Sequence, residues 1–377
     1  MKIGFDAKRA FNNSSGLGNY SRDVIRALAQ IEDYSIYLFT TKLNPEIFDI
    51  KSNEFKAKIE VIEPSRALDK LLKSRWRSVS VSKEINSKEL DIFHGLSNEL
   101  PVNVGEKTKT VVTIHDLIFK RFPNWYKPID RKIYDLKFKN ACIKADKIIA
   151  ISEQTKSDII DFYDIFPEKI EVVYQTCNDS FKKKAGEEEL MQVRAKYNLP
   201  KEFILNVGTI ESRKNAWEIV KAIHQNKISM PLVIVGRSTY YAEKIKAYIN
   251  EHKLGEQITL LHNVTNTDLP LLYQSALVCV YPSTFEGFGL PIIEALYSGT
   301  PVITSKGGCF SEAGGPDSIY VESQNTEELA DAIIKVIEDK NLGEQMSAKG
   351  LEYVQRFNNK NVTNNLIKVY EQLLIKR

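Results

Sequence analysis

With 377 residues, 43% of them hydrophobic and 27% charged, the chain has an ordinary globular composition and exceeds what one hydrophobic core usually holds, so two domains are expected. A net charge of only +3 argues against a nucleic-acid binder as such, and no apolar run approaches the roughly 20 residues that a membrane span needs. Met1 leads straight into a strand-like run with no signal peptide, which points to the cytoplasm, and the four scattered cysteines (Cys142, Cys177, Cys279, Cys309) read as small buried hydrophobes in a reducing compartment.

Lys2 to Asp6 reads as a first strand, followed by a loop ending Ser15-Gly16-Leu17-Gly18-Asn19 and a helix from about Tyr20 to Gln30. Gly16-Leu17-Gly18 lacks the third glycine of a dinucleotide fingerprint and lies too far past its strand for that tight turn. The loop reads either as backbone brought near a substrate or as a plain connection. Short apolar segments follow at Ser35–Thr40, Lys58–Ile62, Asp91–His94, Thr110–Ile114 and Lys147–Ile151, interleaved with helical patterns. This alternation predicts an open, mostly parallel sheet covered on both faces, with ligands bound beyond the carboxyl ends of its strands. His94 and the pair His115-Asp116 fall at such ends. A lone histidine is more often structural, which is the plainer reading of His94, whereas a polar pair at the mouth of the sheet faces ligand.

Two basic stretches, Arg66–Lys83 with Leu71, Leu72 and Trp76, and Lys127–Lys139, mix cations with apolar side chains. Each reads as peripheral contact with an anionic membrane or, equally, as a solvated helix face over a core. After a helix over Glu153–Tyr163 capped by Ser152 and a strand at Ile170–Tyr174, the polar run Asn178–Glu189 marks a linker and the domain boundary.

A second series then begins with a strand at Phe203–Val207, a loop from Gly208 to Asn215 and a helix over Ala216–His224. Arg213 and Lys214 stand just before that helix, where the macrodipole disfavours two cations unless an anion offsets them; a bound diphosphate is the expected anion, and a pair of solvated surface cations the alternative. Strands follow at Leu232–Val235, Ile258–Leu261, Val278–Tyr281 and Val302–Thr304, and an amphipathic last helix at Asn361–Lys376 is long enough to reach back over the first domain.

The most informative stretch is Val278–Glu294, VCVYPSTFEGFGLPIIE. A buried strand gives way to the turn Glu286-Gly287-Phe288-Gly289-Leu290, and Pro291 opens a helix. An exposed helix N-terminus at a glycine turn is an anion site, phosphate above all. Glu286 and Glu294 flank it, and carboxylates beside phosphate are better placed to accept hydrogen bonds from hydroxyls on either side of it. A ligand with hydroxyls on both flanks of a phosphate group is a nucleotide sugar. The plainer alternative is a helix-dipole carboxylate and an ordinary turn.

With these residues laid out, the whole chain resembles the retaining nucleotide-sugar glycosyltransferases of family 4. Its most specific part is Glu286-Gly287-Phe288-Gly289-Leu290-Pro291-Ile292-Ile293-Glu294, followed by Ala295-Leu296-Tyr297-Ser298-Gly299-Thr300-Pro301. The resemblance implies a GT-B fold: two Rossmann-like, doubly wound parallel-sheet α/β domains facing a central cleft, with residues 1–180 binding the acceptor, 181–358 the nucleotide sugar, and 359–377 forming a helix that crosses back to the first domain. It implies that Glu286 meets hydroxyls of the donor sugar, Glu294 the ribose, and backbone N–H groups around Phe288, Gly289 and Leu290 the phosphates. Lys214 matches a diphosphate-binding lysine and His115 a histidine near the reacting sugar. Gly16 and Gly18 match a flexible N-terminal loop, and Asp116 and His94 remain acceptor-side candidates. Where the family often carries a second arginine this chain has Thr209, leaving Arg213 as the substitute.

The implied reaction moves a hexose from GDP-mannose or a UDP-hexose to a glycan or lipid-linked saccharide, as in lipopolysaccharide or capsule synthesis, with retention of anomeric configuration. No Asp-X-Asp motif occurs, so no metal and no cofactor is expected, and the leaving diphosphate would be neutralised by cations and a helix N-terminus. The alternatives are a nucleotide-sugar epimerase of the same plan, which needs no acceptor, and a non-catalytic partner subunit. The expected place of work is the cytoplasm, at the inner face of the membrane if the basic helices touch it.

Overall fold

A computed structural model describes residues 1–51 and 55–375. Contacts divide the chain into two units, Met1–Thr176 with Asn359–Arg377, and Cys177–Asn358. The polar run Asn178–Glu189 is therefore not a free linker. Asn178 accepts from the backbone N–H of Ser180, Phe181 is buried with its ring 5.7 Å from that of Tyr273, and Glu187 starts a regular helix, Glu187–Lys196. Most of its charges lie on exposed surface, and Phe181, the Gln274 amide bonded to the Lys183 carbonyl and the Ala185 N–H, and Lys182 over the Tyr297 ring tie the run to the second unit.

The first unit is built on seven parallel strands in the order β3-β2-β1-β4-β5-β6-β7: β1 (Lys2–Asp6), β2 (Ser35–Phe39), β3 (Lys58–Ile62), β4 (Ile92–Gly95), β5 (Lys109–Ile114), β6 (Lys147–Ala150) and β7 (Ile170–Val172). Strands buried on both faces read as continuous β-branched and aromatic runs, and Ile3, Phe5, Ile36, Leu38, Ile92 and Val111 form one core around β1. Ile3 pairs with Ile36 on one side and Ile92 on the other, which fixes the switch in strand order at β1 and β4.

The Asn359–Ile375 helix completes this unit. Leu366, Val369 and Tyr370 enter the same core, and the Tyr370 hydroxyl lies 2.6 Å from His94 Nδ1. Lys376, the last residue of the expected helix, falls outside the described residues.

Two expectations fail here. Residues 16–19 are not loop but the first turn of a helix, Gly16–Leu28. Glycine's low helix propensity is overridden by packing: a Cβ on Gly18 would meet the Asn13 carbonyl oxygen at 1.9 Å, so only glycine lets the helix start against the chain that leads into it. The basic stretch 66–83 is not one helix but a chain of short pieces, Ala67–Leu71, Lys73–Arg75, a π-turn at Trp76–Ser80 and the start of Val81–Ser87, arranged so that Trp76 is buried.

The second unit carries six parallel strands in the order β10-β9-β8-β11-β12-β13: β8 (Ile204–Val207), β9 (Leu232–Val235), β10 (Ile258–Leu261), β11 (Val278–Tyr281), β12 (Val302–Ser305) and β13 (Ile319–Val321). Both units are thus doubly wound, with the strand order reversing at the first strand of each. Among the described residues no helix is long and apolar enough to cross a membrane.

Candidate active site

In the second unit the site grows from the carboxyl ends of β8 and β11, the adjacent strands at the switch point. Beyond β8 the chain passes Gly208 and Thr209, makes a 3-10 turn at Ser212–Lys214, and reverses at Asn215, whose φ of 53° lies in the left-handed region that asparagine tolerates. Asn215 then begins the Ala216–Gln225 helix and donates from its amide to the carbonyls of Pro282 at 2.8 Å and Ser323 at 3.0 Å, and to Thr284 Oγ1 at 3.0 Å. The Thr284 N–H donates to the Arg213 carbonyl at 2.9 Å. The loops after β8 and β11 are therefore laced into one body.

Glu286 stands at its centre. Its carboxylate accepts from Arg213 at 2.7 Å, Lys214 at 2.5 Å, the Tyr281 hydroxyl at 2.9 Å and Ser283 Oγ at 2.7 Å. Lys214 also donates to the Tyr281 hydroxyl and lies over that ring, while Arg213 reaches the Phe285 carbonyl and Glu211. Burial alone would raise the Glu286 pKa, but the Lys214 and Arg213 charges and hydrogen bonds outweigh it and hold the carboxyl at about 2. The two cations before the Ala216–Gln225 helix are thus offset by protein carboxylates, Glu286 and Glu211, a source of counter-charge absent from the sequence-based expectation of a bound diphosphate or solvated cations.

The turn continues into the Leu290–Tyr297 helix with Gly289 as N-cap at φ 106° and Pro291 in the second helical position. Phe288 contributes only backbone, because its ring is buried 5.3 Å from Phe357. Glu294 lies past the first turn rather than in it, so its role is not to complement the helix dipole. It is half-buried, accepts from the Tyr273 hydroxyl at 3.1 Å, and is pushed up to about 7 by burial, against the Tyr273 hydrogen bond and the Lys214 charge.

Two family models cover the chain, "Glycosyltransferase Family 4" over residues 14–180 and "Glycosyl transferases group 1" over residues 188–353. The chain belongs to the glycosyltransferases of family 4. It is 26% identical to the O-antigen chain mannosyltransferase B of Escherichia coli over 390 aligned residues, covering 99% of this chain and 100% of that protein. Against the O-antigen chain mannosyltransferase RfbU of Salmonella typhimurium it is 26% identical, covering 86% of this chain and 91% of that one. Among solved structures it is similar to Anabaena Alr3699/HepE in complex with UDP, with TM-score 0.78 and 16% identity over 99% of this chain and 100% of that one. Sucrose-phosphate synthase from Thermosynechococcus elongatus gives TM-score 0.78 at 22% identity, with 100% of both chains covered. These structural likenesses establish the GT-B fold that the family resemblance implied.

The residues assigned to this glycosyltransferase from sequence fall into two groups. Arg213, Lys214, Glu286, Gly289, Leu290 and Glu294 come together in the second unit, with Thr209 in the loop alongside. His115, Asp116, His94, Gly16 and Gly18 lie in the first unit.

His115 is buried against Tyr20, their ring centroids 4.7 Å apart. Its Nε2 lies 2.9 Å from the Leu96 carbonyl, which can only accept, so that nitrogen carries the proton and Nδ1 accepts from the Gln175 amide at 3.2 Å. Burial holds its pKa down at about 4, against the raising effect of the Leu96 hydrogen bond, and keeps the ring neutral at pH 7. Asp116 accepts from the Ile118 N–H at 3.1 Å and shapes the turn after β5.

His94 is a correction. It is wholly buried, Nδ1 facing the Tyr370 hydroxyl of the last helix and Nε2 the Thr113 hydroxyl of the neighbouring strand β5 at 2.8 Å, so one nitrogen ties the last helix to the sheet, the other is taken up within the sheet, and neither is left for an acceptor.

Sequence reasoning passed over Tyr281, Ser283, Tyr273, Asn215 and Gly236. Tyr281 ends an apolar strand and so looks like core. Gly236 directly follows β9, and a Cβ there would lie 1.8 Å from the Gly208 carbonyl oxygen, so it sets how the loop carrying Thr209 leaves the sheet. The one available signal was a glycine immediately after a fully buried strand, which marks close backbone approach.

Proposed function

We propose that this glycosyltransferase moves a hexose from a nucleotide diphosphate sugar to a glycan or lipid-linked saccharide in O-antigen-type polysaccharide synthesis, with retention and without a metal ion. The observation that carries the reading is the closed arrangement of Arg213 and Lys214 around Glu286 beside the N-terminus of the Leu290–Tyr297 helix. A departing diphosphate needs positive charge already in place, and this site holds two cations fixed by hydrogen bonds before any ligand arrives, so little reorganisation remains for the reaction itself. The names of two relatives, both O-antigen chain mannosyltransferases, favour a mannosyl donor, and the UDP bound by HepE keeps a UDP-hexose as the other candidate.

In this reading Lys214 and Arg213 turn part of their hydrogen bonding from Glu286 to the leaving diphosphate, Glu286 remains as their counter-ion and meets donor-sugar hydroxyls, and Glu294 accepts from the ribose. The Leu290 N–H, with no intrahelical carbonyl partner, faces phosphate. No side chain of the second-unit site is set apart as a nucleophile: Glu286 is committed to Arg213 and Lys214, and Glu294 to Tyr273. A front-face transfer, in which a diphosphate oxygen takes the acceptor's proton as the hydroxyl attacks, is consistent with that. His115, neutral and held by Leu96 and Gln175, serves as a fixed wall near the reacting sugar rather than as a proton carrier.

The deciding experiment incubates the chain with GDP-mannose or a UDP-hexose, with and without a lipid-linked saccharide, in buffer containing EDTA. Acceptor-dependent nucleoside diphosphate release, and a product whose anomeric coupling matches that of the donor, are expected. An epimerised free donor, an inverted linkage, or activity lost in EDTA and restored by a divalent ion would each break the corresponding part of the reading.

A further inference from the structure

The carboxyl end of the first unit's sheet holds more positive charge than its own acids balance. Arg77 is fixed to Asp6, at the end of β1, at 2.6 Å and to Glu99, beyond β4, at 2.8 Å, while Lys137 reaches Glu99 at 3.4 Å. These two acids and two cations offset each other. Lys8 and Arg9, in the short helix Lys8–Asn12 that follows β1, are left over: among the described residues neither side chain has a hydrogen bond or ion pair, and the Arg9 Nε is buried. Both are half-buried, and charge held this way without a partner destabilises the fold. The two lie close enough to act on each other. Burial, then the Arg77 charge and then the Arg9 charge, lower the Lys8 pKa against Asp6 and Glu99, and the Arg9 charge acts in turn on His115.

Lys8 also lines a narrow cleft together with Thr41, Trp76, Arg77 and the rings of Phe39 and Phe93. Trp76 is 1% exposed, and its indole Nε1 is buried with no partner among the described residues. An N–H taken out of water in this way is costly until something accepts from it. The one carboxylate in the cleft wall, Asp6, is already taken by Arg77. What the cleft offers is therefore a set of donors between apolar walls, with room for one compact group and not for a sugar ring. Two uncompensated cations match a phosphate, which carries about two negative charges at neutral pH, better than a carboxylate with one.

We propose that Lys8, Arg9 and the Trp76 indole form a phosphate subsite in the first unit, which holds a phosphate group carried by the acceptor and so selects phosphorylated or diphosphate-linked saccharides over plain ones. That the phosphate belongs to an acceptor rests on the glycosyl-transfer reading; that the cleft takes phosphate does not.

The test is calorimetric titration of the full chain with mannose 1-phosphate, geranyl diphosphate, inorganic phosphate and mannose, repeated on Lys214→Ala to separate this subsite from the second unit's site. At least one of the two organic phosphates should bind, and mannose should not. Binding of the sugar phosphate would put the recognised group on a saccharide, and binding of geranyl diphosphate would put it in a lipid linkage. Lys8→Met and Arg9→Met should each weaken that binding about tenfold, the effect of deleting one charge-assisted hydrogen bond, while Lys214→Ala leaves it in place. Because the two cations repel each other and have no partner in the fold, both methionine variants should melt at or above the parent temperature, whereas removing a cation that held the structure together would lower it. No binding of either organic phosphate, inorganic phosphate bound as tightly as both, unchanged binding by both methionine variants, a lowered melting temperature in both, or binding lost in Lys214→Ala would overturn the proposal. Transfer of sugar that persists alongside any of these results would refute the subsite alone and leave the glycosyl-transfer reading standing.

Discussion

Lys214 and Glu286 stand 2.5 Å apart at the carboxyl ends of β8 and β11, each mostly buried and each also bonded to the Tyr281 hydroxyl. An ion pair held this way has been desolvated during folding, so its cation is available to a ligand without a further desolvation cost. Replacing Lys214 by alanine should cut turnover by about 100-fold, the usual effect of removing one preorganised charge donor at an oxyanion. Near-normal initial rates with saturating donor would mean that the leaving group is stabilised elsewhere.

Glu286→Gln leaves Arg213 and Lys214 without their shared counter-ion. The expected cost is about 3 kcal/mol at pH 7, the lower part of the range for breaking a buried pair. The pH dependence follows from a folded pKa of about 2 set below the ordinary 4.5. Such a carboxylate contributes its stability above about pH 4.5 and loses it as pH falls toward 2, so the difference in melting temperature between parent and variant should shrink on acidification. Pyrophosphate should raise the variant's melting temperature more than the parent's, because it supplies the missing anion. Equal shifts would show that the two cations do not face a diphosphate.

The division between what could be read from sequence and what could not follows the range of the forces involved. Leu232–Val235 and Val278–Tyr281 are the observed strands to the residue, because a strand buried on both faces must be apolar throughout and is cut off sharply by polar neighbours, and the partly buried edge strands Lys58–Ile62 and Ile258–Leu261 match as well through their β-branched and apolar residues. The Ser152 cap is likewise local, accepting from the Thr155 N–H at 3.0 Å. Gly16 and Gly18 misled for the opposite reason, since the demand for glycine at position 18 comes from the Asn13 carbonyl in the preceding turn and not from the helix itself. The pairing of Glu286 with Arg213, more than seventy residues away, depends on β8 and β11 lying side by side, which no local pattern encodes.

Tyr370→Phe tests the structural assignment of His94. The hydroxyl is the partner of a wholly buried ring nitrogen, and deleting it should cost about 1–3 kcal/mol by leaving that nitrogen unsatisfied. Chemical denaturation should register this loss while the affinity for nucleoside diphosphate stays at the parent value. An unchanged unfolding midpoint would mean that the contact is not the tether described.

Gly236→Ala should disturb the donor loop from behind. The added methyl must displace the Gly208 carbonyl, and overpacking of this kind costs about 1–3 kcal/mol. Because Gly208 leads through Thr209 to Arg213 and Lys214, calorimetry should show weaker nucleoside diphosphate binding as well as a lower melting temperature. Lower stability with unaltered binding would confine the effect to the sheet.

Glu294 separates binding from stability through its pH profile. Its folded pKa of about 7 lies above the ordinary 4.5, so between these values the folded chain keeps a proton that the unfolded chain has released. Stability from this group is therefore fullest below about pH 4.5, declines as pH rises, and levels off above pH 7. Glutamine stays neutral throughout, so Glu294→Gln should gain on the parent in melting temperature between pH 5 and pH 7.5. Ligand binding should run the other way. A carboxylate accepting from ribose hydroxyls makes charge-assisted bonds that an amide does not reproduce, and the variant should bind GDP or UDP at least about tenfold more weakly at pH 8. As pH falls to 6 the parent carboxyl takes up its proton and that gap should narrow. A variant that binds as tightly as the parent at pH 8 would remove the ribose from Glu294 while leaving the stability profile to stand on burial alone.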